Sequence, residues 1–386
     1  MHRSQALWLC FTVTLAVPIV AGDATFVRTT LQEHFSEARH HVTNPDYKLK
    51  TKEFISTEFR NYGLEMHEHS FTGENQVAAV NVIGILRGAM FNTSDDRVFG
   101  IAAHYDTMRN TSGVDDNGSS MAALLSAAKA LSTSQRNYTL MFVAFDLEEW
   151  EVDADKACTF IGCGSDAFIR DWIPTYWNTT PDFAGFIVMD TIMNFNETVE
   201  SQILPGPLVT LFPEAIESIN SDDRQGDFLA CITRAYDASL ARVFQEAFNQ
   251  SGDAKFELEV LDIKTLTGQT LSAVEASFYG DALRSDHAQF WKKGIKAIFL
   301  TDTASYRGYM QTCYHQQCDD MSRVTNGMIL SVVKTARALV ATGNKMAPAL
   351  PVTSTTASPG PTGSGERLGI SNILGLVLML SVLINV

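Results

Sequence analysis

IAAHYDTMRNTSGVDDNGSS, residues 101–120, decides how this chain is read. It continues an apolar run, 97–103, that ends in His104-Tyr105-Asp106. A polar loop leads to Asp115-Asp116-Asn117-Gly118, and the helical run MAALLSAAKAL follows. An apolar strand feeding a helix is half of an α/β unit. In open α/β sheets, ligands bind beyond the carboxyl ends of the strands. A histidine and separated acids at that edge are donors for a metal ion.

Outward from this stretch the same alternation continues. Segments 26–41 and 47–62 read as amphipathic helices, the second closed by Gly63. Strands are expected at 77–86, 97–103, 139–145, 183–189, 256–261 and 297–300. Helices are expected at 119–131, 228–248 and 321–341. This order predicts an α/β fold, a three-layer α/β/α arrangement around a mostly parallel, mixed central sheet. One domain over 23–346 accounts for it.

Composition narrows the setting. A net charge of −15 over 386 residues argues against nucleic acid, which needs clustered Lys and Arg. Residues 1–22 read as a signal peptide: His2 and Arg3, an apolar run broken by Pro18, then Val20-Ala21-Gly22. The remaining cysteines suit an oxidising compartment, with close pairs Cys158/Cys163 and Cys313/Cys318 as candidate disulfides. Cys231 is left over, expected as a buried thiol on a helix. Glycosylation sequons stand at Asn92, Asn110, Asn137, Asn178, Asn196 and Asn249, and at Asn117, which is expected bare because it sits inside the acidic motif. Residues 347–367 are rich in Pro, Ser, Thr and Gly and read as a stalk. The tail 368–386 has an unbroken apolar part of only 14 residues, short of the ~18 a spanning helix needs. Small residues, a polar spacer and an apolar end predict a GPI anchor at Gly360, Gly363 or Ser364, and so an extracellular, cell-surface protein tied to the outer leaflet.

The chemistry lies at the strand ends. After 97–103 come His104 and Asp106; after 139–145, Asp146-Leu147-Glu148-Glu149; after 183–189, Asp190; and further on, Ser285-Asp286-His287. Singly, each has a bland reading: an Asp before a helix is an N-cap, and a Glu pair is a solvated surface. Gathered on one edge, like charges repel unless a cation neutralises them. Mixed imidazole and carboxylate donors suit zinc.

HYD, GVDDNGSS, LEE, MD and SDHAQF, in this order, resemble the co-catalytic di-zinc exopeptidases, the group of leucyl-type aminopeptidases, glutamate carboxypeptidases and glutaminyl cyclases. The resemblance spans residues 75–345 and implies a single zinc-exopeptidase domain with two zinc ions. It implies that His104 and Asp190 hold one zinc, Glu149 and His287 the other, and that Asp116, three residues before Ser119, bridges them. Asp106 would steady the His104 ring, and Glu148 would be the general base. A loop bearing Tyr306, Arg307, Tyr314 and His315 would lie beside the substrate; it reads equally as a structural loop closed by Cys313 and Cys318. An acidic insertion, 150–163, departs from simpler relatives. The expected activity is release of N-terminal residues from peptides. A one-zinc glutaminyl-peptide cyclotransferase and an inactive binding ectodomain are the alternatives. A carboxypeptidase would need a basic pocket, for which Arg284 and Arg307 are the available residues.

Overall fold

The structure, a computed structural model, describes residues 23–73, 76–149, 162–178 and 181–351. The expected signal peptide, the anchor tail with nearly all of the stalk, and segment 150–161 with Cys158 lie outside the described residues.

Eight strands form one sheet: β1 Glu65–Thr72, β2 Ala78–Leu86, β3 Arg97–His104, β4 Leu140–Phe145, β5 Asp182–Met189, β6 Phe228–Arg234, β7 Glu257–Ile263 and β8 Ala297–Thr301. Their order across the sheet is β1-β2-β4-β3-β5-β8-β6-β7. The central run β4-β3-β5-β8 is parallel throughout. The β1/β2, β2/β4 and β6/β8 pairs are antiparallel, so the sheet is mixed, as expected.

The alternation of β3 shows how the layers form. Phe99, Ile101 and Ala103 face one core, shared with helices Ala24–His34, Pro45–Asn61, Ser120–Leu131, Ala238–Asn249 and Asn326–Met346. Val98 and Ala102 face the other core, where Phe168, Trp172, Phe290 and Trp291 pack. Burying each such large side chain is worth about 1.5–3 kcal/mol. Gly100 has no substitute here: a Cβ on it would lie 2.0 Å from Cε1 of the Phe186 ring.

Register places the site. His104 pairs with Phe145 on one side, and Ala103 with Met189 on the other. The residues just beyond, Asp146 and Asp190, therefore emerge at the same edge as His104.

Four expectations change. Segment 228–248 is not one helix but strand β6, a short turn and helix Ala238–Asn249. An unbroken apolar run does not distinguish strand from helix by periodicity, and here FLACITR is buried inside the sheet. Cys231 is a buried free thiol, but on that strand. Strand β1 is additional to the expected set, because EMHEHSFT is mostly polar and lies at the sheet edge with only Phe71 buried. The domain also runs past 346. Asn137 N–H donates to Pro348 O, Leu350 N–H to Gln135 O, and the Arg136 guanidinium to Ala347 O.

Of the two expected disulfides, the one between Cys313 and Cys318 is present. The other, Cys158 with Cys163, is described at one end only. Cys163 is buried and disulfide-bonded, and its Sγ lies 3.5 Å from Ser165 Oγ at the start of the short helix Gly164–Ala167. Its expected partner, Cys158, falls outside the described residues, so that pairing stays an expectation.

Asn117 is fully buried, donating to Met189 O and accepting from Thr191 N–H, which leaves no room for a glycan. The other sequon asparagines are exposed or half-buried. No helix among the described residues is long and apolar enough to cross a membrane.

Candidate metal centre

Three elements converge beyond the parallel strands. His104 ends β3, Asp190 follows β5, and the chain after β4 turns sharply at Leu147, whose φ is 57°. That left-handed conformation costs a non-glycine residue about 1–2 kcal/mol. It is held because Leu147 is buried and because Asp106 accepts from the next two N–H groups, Glu148 at 3.2 Å and Glu149 at 3.1 Å. Asp106 thus aims the glutamate pair. Its Oδ1 also lies 3.5 Å from Nδ1 of His104, leaving Nε2 of that ring to face the site.

Asp116 enters from the loop before helix Ser120–Leu131. Buried Arg39 supports that loop by donating to Ser112 O and Gly113 O, and the Asn117 side chain ties it to the end of β5. The Asp116–Asn117 peptide bond is cis.

The donor atoms fall into two groups that share Asp116. In the first, His104 Nε2 lies 3.5 Å from Asp116 Oδ1 and 3.5 Å from Asp190 Oδ1. In the second, His315 Nε2 lies 3.3 Å from Asp116 Oδ2 and 3.1 Å from Glu149 Oε1. Both Asp116 oxygens, both ring Nε2 atoms and Glu149 Oε1 are buried without a hydrogen-bond partner. Five such atoms turned on one another are costly, unless a cation sits among them or protons intervene. The donor set of imidazole and carboxylate therefore fits two divalent cations, with zinc well matched.

Electrostatics agree with the geometry. Burial, with Glu149 beside it, pushes the Asp116 carboxyl up to about 7. Burial alone would lower the His315 ring, yet Glu149 and Asp116 hold it up at about 10. Glu148 touches no donor nitrogen closely: its Oε2 is 3.9 Å from His104 Nε2, and its Oε1 has no partner. Burial first, then Asp190, Glu149 and Asp286, raise its carboxyl well above the usual range.

His287, expected as the second site's ligand, is not brought into either group. Its Nε2 meets Ala282 O at 2.8 Å, and its ring stacks on Phe299 at 4.2 Å and against Trp291. Burial pushes its pKa down to about 4. It opens a helix whose next turn packs into the core, and the ring follows that packing. Asp286 is the acid of this motif that couples to the site: it is fully buried, both its oxygens lack hydrogen-bond partners, and its charge acts on Glu148.

The ring beside Glu149 is His315, expected from the sequence to touch substrate. Tyr314 stacks on it at 3.7 Å and forms part of a neighbouring cavity. Arg307 does not face substrate: it is buried and donates to Gln202 Oε1 and Phe228 O. Neither Asp286 nor Asp319 has a role assigned from the sequence. A histidine held between two cysteines five residues apart is the available signal for His315.

The cavity beside Asp190 has a volume of about 100 Å³. Phe212, Ile232, Leu261 and Phe299 contribute apolar walls, and Tyr306 and Arg284 lie among its lining.

The profile described as Peptidase family M28 matches residues 81–340. The uncharacterized protein YfbL of Escherichia coli strain K12 is 26% identical over 255 residues, 64% of this chain and 67% of that protein. Among solved structures, a leucine aminopeptidase precursor from Bacteroides thetaiotaomicron superposes with a TM-score of 0.53 at 14% identity, over 83% of this chain and 98% of that one. A glutaminyl cyclase from the same organism, bound to N-acetylhistamine, gives 0.55 at 14% identity over 83% and 98%. At such identities the likeness is one of fold.

Proposed function

The chain belongs to peptidase family M28, and from that premise we propose that it is a two-metal aminopeptidase releasing N-terminal residues from peptides. One observation carries the reading: Asp116 turns one oxygen to each of two histidines, the arrangement of a carboxylate shared by two cations.

Divalent cations held there supply the Lewis acidity that activates water and polarises a carbonyl. The chain's own residues do the rest. Glu148 takes the proton from the attacking water as the C–O bond forms. It returns that proton to the departing amine nitrogen as the C–N bond breaks, so the proton count closes within the site. Asp106 keeps the His104 ring oriented and the Glu148–Glu149 turn in place through contacts of 3.1–3.5 Å. The cavity beside Asp190 takes the side chain of the residue being released, and its walls favour an apolar or aromatic one. On the sequence signals at its two ends, we place the protein at the cell surface on a lipid anchor.

The test is metal content per chain together with turnover of amino-acyl amides. Two equivalents with release of apolar N-terminal residues is expected. One equivalent with cyclisation of an N-terminal glutamine would overturn the reading in favour of a cyclase. No metal and no turnover would leave a binding ectodomain.

A further inference from the structure

The second group of donors depends on the meeting of two loops far apart in sequence. Loop 111–116 brings Asp116, and loop 313–319 brings His315. The fastening between them is specific. The Asp319 carboxylate, fully buried, accepts from Asp115 N–H at 2.9 Å through Oδ1 and from Asp116 N–H at 3.0 Å through Oδ2. Thr111 Oγ1 donates to Gln316 O at 2.8 Å, and Val114 N–H points to Asp319 O at 3.4 Å. The Cys313–Cys318 disulfide closes the loop that carries His315, so Asp319, next after Cys318, is linked to it through few free torsions.

Asp319 approaches Asp116 through its backbone. Its two oxygens take two successive amides, a grip that fixes both position and direction through charge-assisted bonds. An amide side chain of the same shape would turn an N–H₂ toward one of those donors and lose half of the grip. The first group depends on that grip less, because two of its three donors, His104 and Asp190, sit at or just past the ends of paired strands, whereas Glu149 and His315 both project from loops.

We propose that Asp319 is the positioning residue of the second metal site: gripping the Asp116 backbone from the loop of His315, it sets how closely the bridging carboxylate meets that ring. The proposal rests on the two-metal reading. Partners that orient a ligand typically change metal affinity by ~10–100-fold.

The experiment is zinc titration of the metal-free full chain, read as equivalents bound and their dissociation constants, for wild type, Asp319→Asn and Asp320→Asn. Asp320 is the matched acid: its carboxylate accepts from Ser322 N–H within its own turn. Asp319→Asn should weaken the second equivalent ~10–100-fold and the first by clearly less, while Asp320→Asn changes neither. Two wild-type affinities in Asp319→Asn overturn the proposal alone, and equal weakening of both equivalents does the same, since a general structural role predicts it. A single equivalent in wild type overturns the two-metal reading and this proposal with it. If Asp319→Asn does not fold, Thr111→Val cuts the neighbouring bond to Gln316 O; a selective severalfold loss of the second equivalent supports the proposal, and no change overturns it.

Discussion

The two donor groups share a carboxylate but not a scaffold. His104 and Asp190 project from the ends of β3 and β5, strands paired residue by residue at the centre of the sheet. Glu149 and His315 project from loops, one next to segment 150–161 and one inside a disulfide-closed turn. The His104 ring is completely buried, whereas the His315 side chain keeps 12% of its surface exposed. Backbone pairing fixes the two strand-end residues of the first group, and Asp106 steadies the His104 ring. The second must be tied, by Asp106 on the glutamate side and by Asp319 on the histidine side. The same ligand chemistry can thus be positioned by a sheet or by hydrogen-bonded loops, and the second kind is the easier to disturb.

The largest expected effect is at the shared residue. Asp116→Ala should remove both metals and reduce turnover by more than ~10³-fold, the scale of losing metal-assisted activation altogether; retention of one full equivalent would show that the groups do not depend on it equally. Glu148→Gln should cost about 10²–10⁴-fold in kcat while both metals stay bound. Wild-type kcat in that variant would remove Glu148 from the chemistry.

Next come the two histidines whose expected places the structure changes. His315→Gln should lower metal content by one equivalent. His287→Gln should leave metal content intact and cost roughly 1–3 kcal/mol of stability, from the lost bond to Ala282 O and disturbed stacking. Metal analysis and denaturant unfolding of the two variants separate these roles, and loss of metal in His287→Gln would reverse the assignment.

The smallest effect concerns pH in the chelator-treated protein. The His315 ring is held at about 10 by its acidic neighbours, above its unfolded value near ~6.5. Its protonated form therefore stabilises the folded chain fully below pH ~6.5, and that contribution is lost as pH rises toward about 10. The fall in Tm across this window should be smaller in His315→Gln and smaller in the zinc-loaded protein. Equal falls in all three would mean that this ring does not stabilise the metal-free state.

Much of the framework is legible from order alone. The apolar runs that form β3, β4, β5 and β8 are short, continuous and separated by helical or loop segments, and a central parallel sheet follows from that alternation. Segment 228–248 reads wrongly as one helix because FLACITR and the helix after it are both apolar, and only the pairing of β6 with β7 and β8 separates them. At the site, His104, Glu149 and Asp190 can be named in advance because each ends a strand or follows one closely, and Asp116 because it stands three residues before Ser119 in the motif that carries the resemblance. Asp319 cannot, since its partners are backbone amides 203 and 204 residues away and no local pattern marks such a bond.

The sequence by itself determined the chemical inventory: histidines and acids at the carboxyl edge of a parallel sheet, with a glutamate pair beside them. Those are properties of residue type and strand order, and they are local. Only the tertiary structure decided between His287 and His315. His287 opens a short helix and His315 lies in the turn after another, and which ring reaches Asp116 depends on packing. Phe299 and Trp291 hold one ring in the core. The disulfide-closed loop, gripped through Asp319, presents the other ring to the shared carboxylate.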